Sequence, residues 1–264
     1  MNSIISTCYE KNLIIEYDRS DRVARITINQ PEDMNRLSNT VLKEIVHAAR
    51  NADKDNDIRV LIISGAGEKA FCAGGDLKGV QHESVLKSKE NLEGYAELCL
   101  TFDALKTPSI AMIRGYAVAG GCGLAMLPTF SIASENARFG TPEINMGMWP
   151  MMVMAVLFRT VGKKKGLELI CMGDMIDAHE AERIGMMITK VVPDQQLENE
   201  VAELANKLKS KSGSILGLGL EAFHNMHDME YIVYPAINCD FLYPPVPAAE
   251  GWGKGYKIAD CDRS

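Results

Sequence analysis

Two glycine-rich turns constrain this chain more than any other sequence feature. Residues 73–76 read Ala-Gly-Gly-Asp, and residues 119–123 read Ala-Gly-Gly-Cys-Gly. Each turn follows a short apolar run, at residues 60–64 and 109–113, and precedes a stretch that favours a helix. Strand, glycine turn and helix in this order predict crossover units of a parallel sheet. Because glycine lets the main chain approach a ligand closely, two backbone N–H groups can be directed at one oxygen atom.

The same alternation of strands and helices extends through much of the chain. Further strands are predicted at residues 14–17, 23–28, 129–134 and 188–192, and the candidate cap Ser38 starts a helix that ends near Asp53. Beyond Pro150 the pattern becomes mostly helical, at residues 153–161, 164–172, 178–184 and 197–209. We therefore expect an α/β core over residues 1–192 that carries the site. Residues 193–264 should form a helical C-terminal region with an irregular tail, because prolines interrupt residues 231–264.

Composition excludes several classes of function. The 264 residues are 47% hydrophobic, which supplies a core, and the formal net charge of -7 argues against nucleic acid or an anionic membrane surface as partner. No segment reaches the roughly 18 apolar residues that a membrane helix needs. The seven cysteines are scattered, without Cys-x-x-Cys pairs or histidines at zinc-ligand spacing. They predict reduced thiols, no metal and a cytoplasmic location.

Five strings carry a resemblance to a known family. In chain order they are residues 29–35, 69–78, 115–122, 139–144 and 178–185. Their order and spacing, from about Leu13 to Met229, resemble the enoyl-CoA hydratase/isomerase family, also called the crotonase superfamily. The resemblance implies a crotonase-like α/β spiral of repeated ββα units, with a helical C-terminal region used for trimerisation. It also implies an acyl-CoA substrate, no cofactor besides that coenzyme A, and a homotrimer or a dimer of trimers.

The resemblance also implies the site residues. The N–H groups of Gly75 and Gly120 would form an oxyanion hole for the thioester carbonyl, and Glu143 would be the acid/base residue. Glu143 has an alternative interpretation as a structural carboxylate that caps a backbone N–H. The residues expected to hold coenzyme A are Arg36, Ala73, Asp76, Leu77 and Lys78. The residues expected to line the substrate pocket are Gly123, Met148, Trp149 and Met151, although this methionine-rich run is equally compatible with core packing.

Gly123 is the informative departure from the family pattern. Hydratases of this family usually carry a second glutamate at that position, and two carboxylates suit the addition of water. One glutamate suits double-bond isomerisation, in which a proton leaves the α-carbon and returns to the γ-carbon. The sequence therefore favours an enoyl-CoA isomerase over an enoyl-CoA hydratase, with Glu83, Glu93 or Glu97 as possible sources of a second acid. A non-catalytic acyl-CoA- or partner-binding protein of the same fold is the alternative from another class.

Overall fold

Ten strands in two sheets organise the part of the chain that the structure describes. This structure is a computed structural model, and it describes residues 15–75, 85–186 and 188–226, without the side chains of residues 85–91. The predicted C-terminal tail lies outside these ranges. The strands are β1 (Ile15–Ser20), β2 (Val23–Ile28), β3 (Val60–Gly65), β4 (Ala70–Cys72), β5 (Ser109–Ile113), β6 (Tyr116–Val118), β7 (Phe130–Ser134), β8 (Arg138–Gly140), β9 (Ile176–Asp177) and β10 (Lys190–Val192).

Eight helices connect and cover these strands within the described ranges. They are α1 (Asn39–Lys54), α2 (Val85–Asp103), α3 (Gly120–Met126), α4 (Met151–Thr160), α5 (Lys163–Met172), α6 (Ala178–Arg183), α7 (Leu197–Lys209) and α8 (Gly213–Met226). Short 3-10 helices occur at Pro31–Asp33, Pro142–Met146 and Asp194–Gln196. The predicted cap of α1 is confirmed, because the Ser38 hydroxyl accepts a hydrogen bond from the Val41 N–H at 3.3 Å. None of the helices described is long and apolar enough to cross a membrane.

The central strands of the larger sheet are buried on both faces. Its strand order is β1-β2-β3-β5-β7-β10, with an antiparallel β1–β2 hairpin and parallel pairing from β2 onward. Alternate residues of β3 belong to separate clusters: Leu61 and Ile63 pack in the cluster that includes α1, while Val60 and Ile62 pack in the cluster that includes α7. This explains why the first four residues of β3 are all apolar, as is typical of parallel strands covered on both sides.

The smaller sheet has the order β4-β6-β8-β9, and its first three strands are parallel. The sequence interpretation placed the glycine turns directly after the short apolar runs that form β3 and β5, and this was wrong. The structure inserts β4 before the first turn and β6 before the second, so that each unit contains two strands and a helix. Strands of three residues are too short to show alternating hydrophobicity, which is why the pattern did not reveal them.

Candidate active site

Three turns meet at one edge of the smaller sheet. The first contains Gly74 and Gly75 and follows β4, the second contains Gly120 and follows β6, and the third contains Glu143 and follows β8. Because these strands are parallel neighbours, their carboxyl ends lie at the same edge, where Val118 of β6 pairs with Gly140 of β8. Loops at the carboxyl ends of parallel strands are common places for ligand sites. The topology therefore gathers the three segments that the sequence singles out.

The two glycine turns lie directly against each other. A Cβ built on Gly120 would be 3.6 Å from the backbone nitrogen of Gly75, and one built on Gly74 would be 2.9 Å from the nitrogen of Gly120. Gly120 is the first residue of α3, so its N–H has no acceptor inside the helix. The two N–H groups named in the sequence prediction thus belong to adjacent pieces of backbone.

The first glycine turn is anchored by the segment that precedes α1. The N–H of Ala73 donates to the carbonyl of Met34 at 2.9 Å, and the N–H of Leu37 donates to the carbonyl of Gly74 at 2.8 Å. Arg36 lies between the two anchoring residues and is therefore held beside the turn. Asp76, Leu77 and Lys78, which were predicted to bind coenzyme A with Arg36 and Ala73, lie outside the described residues.

Asn35 supports this anchor from inside the protein. It is fully buried, and its amide donates to the carbonyls of Ala66 at 2.9 Å and Ala70 at 2.7 Å. Its side-chain oxygen accepts from the N–H of Gln30 at 3.0 Å. Asn35 also has a positive φ of 54°, a conformation that asparagine tolerates better than most residues. One side chain thus ties together the loop after β2, the loop after β3 and the start of β4.

The second glycine turn contains a strained residue. Ala119 has a φ of 52° and a ψ of -128°, which is unusual for a residue with a Cβ. Its N–H donates to the carbonyl of Gly140 at 2.9 Å, and its carbonyl accepts from the N–H groups of Cys122 and Gly123 at 2.9 and 3.2 Å. Backbone strain of this kind costs about 1–3 kcal/mol and is found preferentially at functional sites.

Glu143 is the second residue of the 3-10 helix Pro142–Met146 and is partly buried. Its Oε2 atom is buried and has no hydrogen-bond partner among the described residues, and the same holds for Oγ1 of nearby Thr141. Burial raises the pKa of Glu143 above its usual value, and its own backbone N–H opposes that rise. Buried polar atoms nearly always have partners, so these two atoms favour a polar ligand or water at this turn. Thr141 was not singled out in the sequence.

Tyr95 is the main site residue that sequence reasoning missed. It lies on α2, is 7% exposed, and donates its hydroxyl proton to the carbonyl of Gly120 at 3.0 Å. A Cβ built on Gly123 would lie only 1.9 Å from the Tyr95 hydroxyl oxygen. The phenol therefore fills the space in which a side chain at position 123 would begin. Its spacing to buried Leu98 and Phe102 was the available signal, but that spacing is equally typical of ordinary core residues.

Of the three glutamates predicted as sources of a second acid, the two that the structure describes are exposed. Glu97 forms a 2.8 Å ion pair with Arg50, and its side chain is 47% exposed. Glu93 is also exposed, and Glu83 lies outside the described residues. On the described part of α2, the side chain that reaches the glycine turns is that of Tyr95.

Two cysteines are buried beside the glycine turns. Cys72 ends β4 and Cys122 lies in the first turn of α3. Burial raises the pKa of each thiol to about 12, so both stay protonated at neutral pH and are poor bases or nucleophiles. No group of three or more potential metal ligands occurs within the described ranges. Glu143 is therefore the group at these turns that is suited to take up a proton.

The predicted pocket residues before and at the start of α4 have mixed environments. Met148 is partly buried, whereas Trp149 and Met151 are 37% and 61% exposed. The buried residue that α4 presents to the site is Val153, because a Cβ on Gly123 would lie 3.6 Å from its Cγ1 atom. Val153 is not among the pocket residues that the sequence predicts.

Comparisons with known proteins identify the family of the chain. A profile of the enoyl-CoA hydratase/isomerase family matches residues 18–250. A probable enoyl-CoA hydratase of Mycobacterium bovis is 37% identical over 217 residues, covering 81% of each chain. A crotonyl-CoA hydratase of Syntrophomonas wolfei is 36% identical over 202 residues, covering 76% of each chain. The crystal structure of an enoyl-CoA hydratase from Mycobacterium smegmatis superposes with a TM-score of 0.84 at 27% identity, covering 87% of this chain and 90% of that one. In sequence and in its crotonase fold, the chain belongs to the enoyl-CoA hydratase/isomerase family of enzymes.

Proposed function

We propose that this enzyme acts on acyl-CoA thioesters through an enolate. The thioester oxygen would accept hydrogen bonds from the N–H groups of Gly75 and Gly120, and Glu143 would move the proton. The observation that supports this most strongly is the meeting of two glycine turns with a partly buried carboxylate whose buried Oε2 atom has no described partner. One oxyanion donor typically contributes about 3 kcal/mol to transition-state stabilisation, so the two together would dominate catalysis.

The reaction that we favour is migration of a double bond from the 3- to the 2-position. The Glu143 carboxylate removes a proton from C2, and the electron pair of that C–H bond moves toward the thioester oxygen to give a dienolate. The same carboxyl group then delivers the proton to C4, which leaves the double bond between C2 and C3 and restores the carbonyl. A single carboxylate is sufficient because the proton removed is the proton returned.

The absence of a carboxylate at Gly123 supports isomerisation over hydration. Addition of water to a 2-enoyl-CoA needs a group that orients the water and a group that protonates C2, and position 123 has no side chain to share that work. Hydration is the second candidate, because relatives of 34–37% identity are named as hydratases, among them a short-chain-enoyl-CoA hydratase of Clostridium acetobutylicum.

The coenzyme A part of the substrate would lie along the first glycine turn. Arg36 and Ala73 belong to the anchored segment there, and the predicted contacts of Asp76, Leu77 and Lys78 follow in the chain. Coenzyme A enters as part of the substrate in this proposal. The nucleotide and pantetheine should supply most of the binding free energy, so the free acid of the same acyl group should not bind measurably.

The deciding experiment offers the enzyme matched pairs of 2-enoyl- and 3-enoyl-CoA of several chain lengths. Absorbance of the conjugated thioester and product mass are followed together. A 3-enoyl-CoA should gain conjugation without change of mass. Addition of one water to the 2-enoyl-CoA at enzymatic rates would favour the hydratase candidate. Calorimetry with a non-reactive acyl-CoA and the corresponding free acid tests binding, and no binding at about millimolar thioester would contradict both candidates.

We also propose that the protein forms a homotrimer or a dimer of trimers through its C-terminal region. Of the helices in residues 193–226, α7 packs on the larger sheet, whereas α8 leaves apolar side chains exposed, including Ile215 at 67% and Leu218 at 36%. Light scattering coupled to size-exclusion chromatography gives the mass directly. A monomer at about micromolar concentration would contradict this proposal.

A further inference from the structure

Tyr95 and Gly123 occupy one space between them. The hydroxyl oxygen of Tyr95 lies 1.9 Å from the place where a Cβ at position 123 would be, which is far inside van der Waals contact. The next ring atom, Cζ, lies 3.2 Å from the same point. A side chain at position 123 and the phenol of Tyr95 in its present place therefore exclude each other, chiefly through the hydroxyl oxygen.

The phenol also contacts the glycine turn that carries the second candidate oxyanion donor. Its hydroxyl donates to the carbonyl of Gly120, and a Cβ on Gly120 would lie 3.3 Å from ring atom Cε2. A buried hydroxyl with a 3.0 Å bond to the Gly120 carbonyl holds the Gly120–Gly121 peptide in one orientation, and this peptide is next to the one that carries the Gly120 N–H. The ring thus supports Gly120 at the start of α3.

We propose that Tyr95 is a positioning and specificity-determining residue: it fills the place of a second acid beside Gly123, holds the Gly120 carbonyl next to the candidate donor, and thereby commits the site to one-carboxylate chemistry. This inference rests on the proposed enolate function and deepens it. On this proposal, position 123 is glycine because the side chain of Tyr95 leaves no room for a Cβ there.

The protonation state of the phenol agrees with this role. Burial raises the pKa of Tyr95 well above its usual value, and nearby Cys99, Cys122, Cys72 and Glu143 raise it further when charged. The phenol therefore keeps its proton at neutral pH and donates a hydrogen bond to the Gly120 carbonyl. A neutral donor of this kind cannot replace a carboxylate as the base that activates water, so proton transfer is left to Glu143.

The first test is a stability cycle that does not depend on any substrate. Gly123→Ala should lower the free energy of unfolding strongly in the parent, because its Cβ meets the Tyr95 oxygen. In the Tyr95→Phe background the same Cβ meets only Cζ at 3.2 Å, so a small shift accommodates it. The two substitutions should therefore be clearly non-additive in urea unfolding. Additive effects would overturn the steric part of the proposal.

The second test measures the reaction. Tyr95→Phe should lower kcat about fivefold with little change in KM, because the Gly120 carbonyl loses its hydrogen bond from the phenol. Tyr95→Ala combined with Gly123→Glu makes room for a carboxylate, and it should raise the ratio of hydration to isomerisation at least about tenfold relative to Tyr95→Ala alone. Tyr116→Phe is the matched control, because Tyr116 is a 47% exposed phenol on β6 and should leave both rates unchanged.

The outcomes separate this inference from the proposed function. A parent protein that neither binds nor converts any acyl-CoA would refute the function itself. A parent that isomerises 3-enoyl-CoA, together with a folded double variant whose ratio is unchanged, would refute the role of Tyr95 alone. If the double variant does not fold, the stability cycle and the kcat of Tyr95→Phe decide, and an additive cycle with unchanged kcat overturns the inference.

Discussion

Gly74 lies directly against Ala119, so that a Cβ built on Gly74 would be 2.7 Å from the Cβ of Ala119. Both residues have positive φ values, 82° and 52°. The strained turn after β6 is therefore packed against the turn after β4, and a residue larger than glycine at position 74 would push them apart. The spacing between the N–H groups of Gly75 and Gly120 depends on this contact.

Gly74→Ala should therefore damage both stability and activity. Gly147→Ala is the matched control, because Gly147 also has a positive φ, 72°, but has no atom within 4 Å of a built Cβ. The control should cost only the conformational penalty of about 1–2 kcal/mol, and Gly74→Ala should cost clearly more in urea unfolding. Equal losses for the two variants would mean that the turns are not in close contact.

Asn35→Asp tests the anchor of the first turn. In the parent protein the carbonyls of Ala66 and Ala70 accept hydrogen bonds from the Asn35 amide. The substitution keeps the shape of the side chain but places a carboxylate oxygen against these carbonyls. We expect a loss of about 3 kcal/mol in the free energy of unfolding at neutral pH, because the nitrogen that donates both buried hydrogen bonds is replaced by an oxygen that can only accept. Asn136→Asp, at an exposed position, should change stability by less than about 0.5 kcal/mol. A loss no larger than in this control would contradict the anchoring role of Asn35.

The sequence predicts the fold class and the site segments because their signals are local. The residues of each glycine turn already indicate close backbone approach. The short segment that contains Glu143 already indicates acid/base chemistry. The larger sheet was predictable for the same reason, since β3 and β5 are apolar runs between turn signals. The helical cap at Ser38 was read correctly from a single residue and its neighbours.

What the sequence does not reveal depends on contacts between distant residues. β4, β6 and β8 have three residues each, too few for a periodic pattern, yet they bring the turns to one edge. Tyr95 has the spacing of a core residue, and only its contacts with Gly120 and Gly123 distinguish it. The steric exclusion at Gly123 likewise appears only when α2 is packed on α3. A carboxylate at position 123 therefore requires a change at Tyr95 as well.

Glu143→Gln should abolish turnover while it leaves acyl-CoA affinity nearly intact. The amide keeps the shape of the side chain but cannot carry a proton, so kcat should fall by about 10²- to 10⁴-fold. Exposed Glu135→Gln is the control and should retain full activity. Steady-state kinetics and calorimetry with a non-reactive acyl-CoA measure the two effects. Activity within about tenfold of the parent would exclude Glu143 as the catalytic base.

The pH profile of the parent should show the environment of Glu143. The base must be deprotonated to take the α-proton, and burial raises its pKa from the usual 4.5. The value of kcat/KM should therefore fall as the pH is lowered through this raised pKa, at a higher pH than for an ordinary glutamate. A profile without an acid limb above about pH 4.5 would be inconsistent with proton removal by Glu143.

Burial of Glu143 also predicts how the free energy of unfolding changes with pH. Because the folded state raises the pKa of Glu143, folded protein holds this proton more tightly than unfolded protein does. The favourable contribution of the protonated group is complete below pH 4.5 and is lost as the pH rises through the folded-state pKa. Above that value the buried carboxylate lowers the free energy of unfolding.

Glu143→Gln should consequently be more stable than the parent at neutral pH and equally stable at low pH. The amide is uncharged at every pH, so the difference between the two proteins should grow as the pH rises and then level off above the folded-state pKa. Urea unfolding at about pH 4 and about pH 7.5 gives both values, and the same measurement on Glu135→Gln corrects for the loss of one exposed charge. A Gln variant that is less stable than the parent at neutral pH would mean that the ionised carboxylate has stabilising partners in the folded protein, and would favour the structural interpretation of Glu143 over the catalytic one.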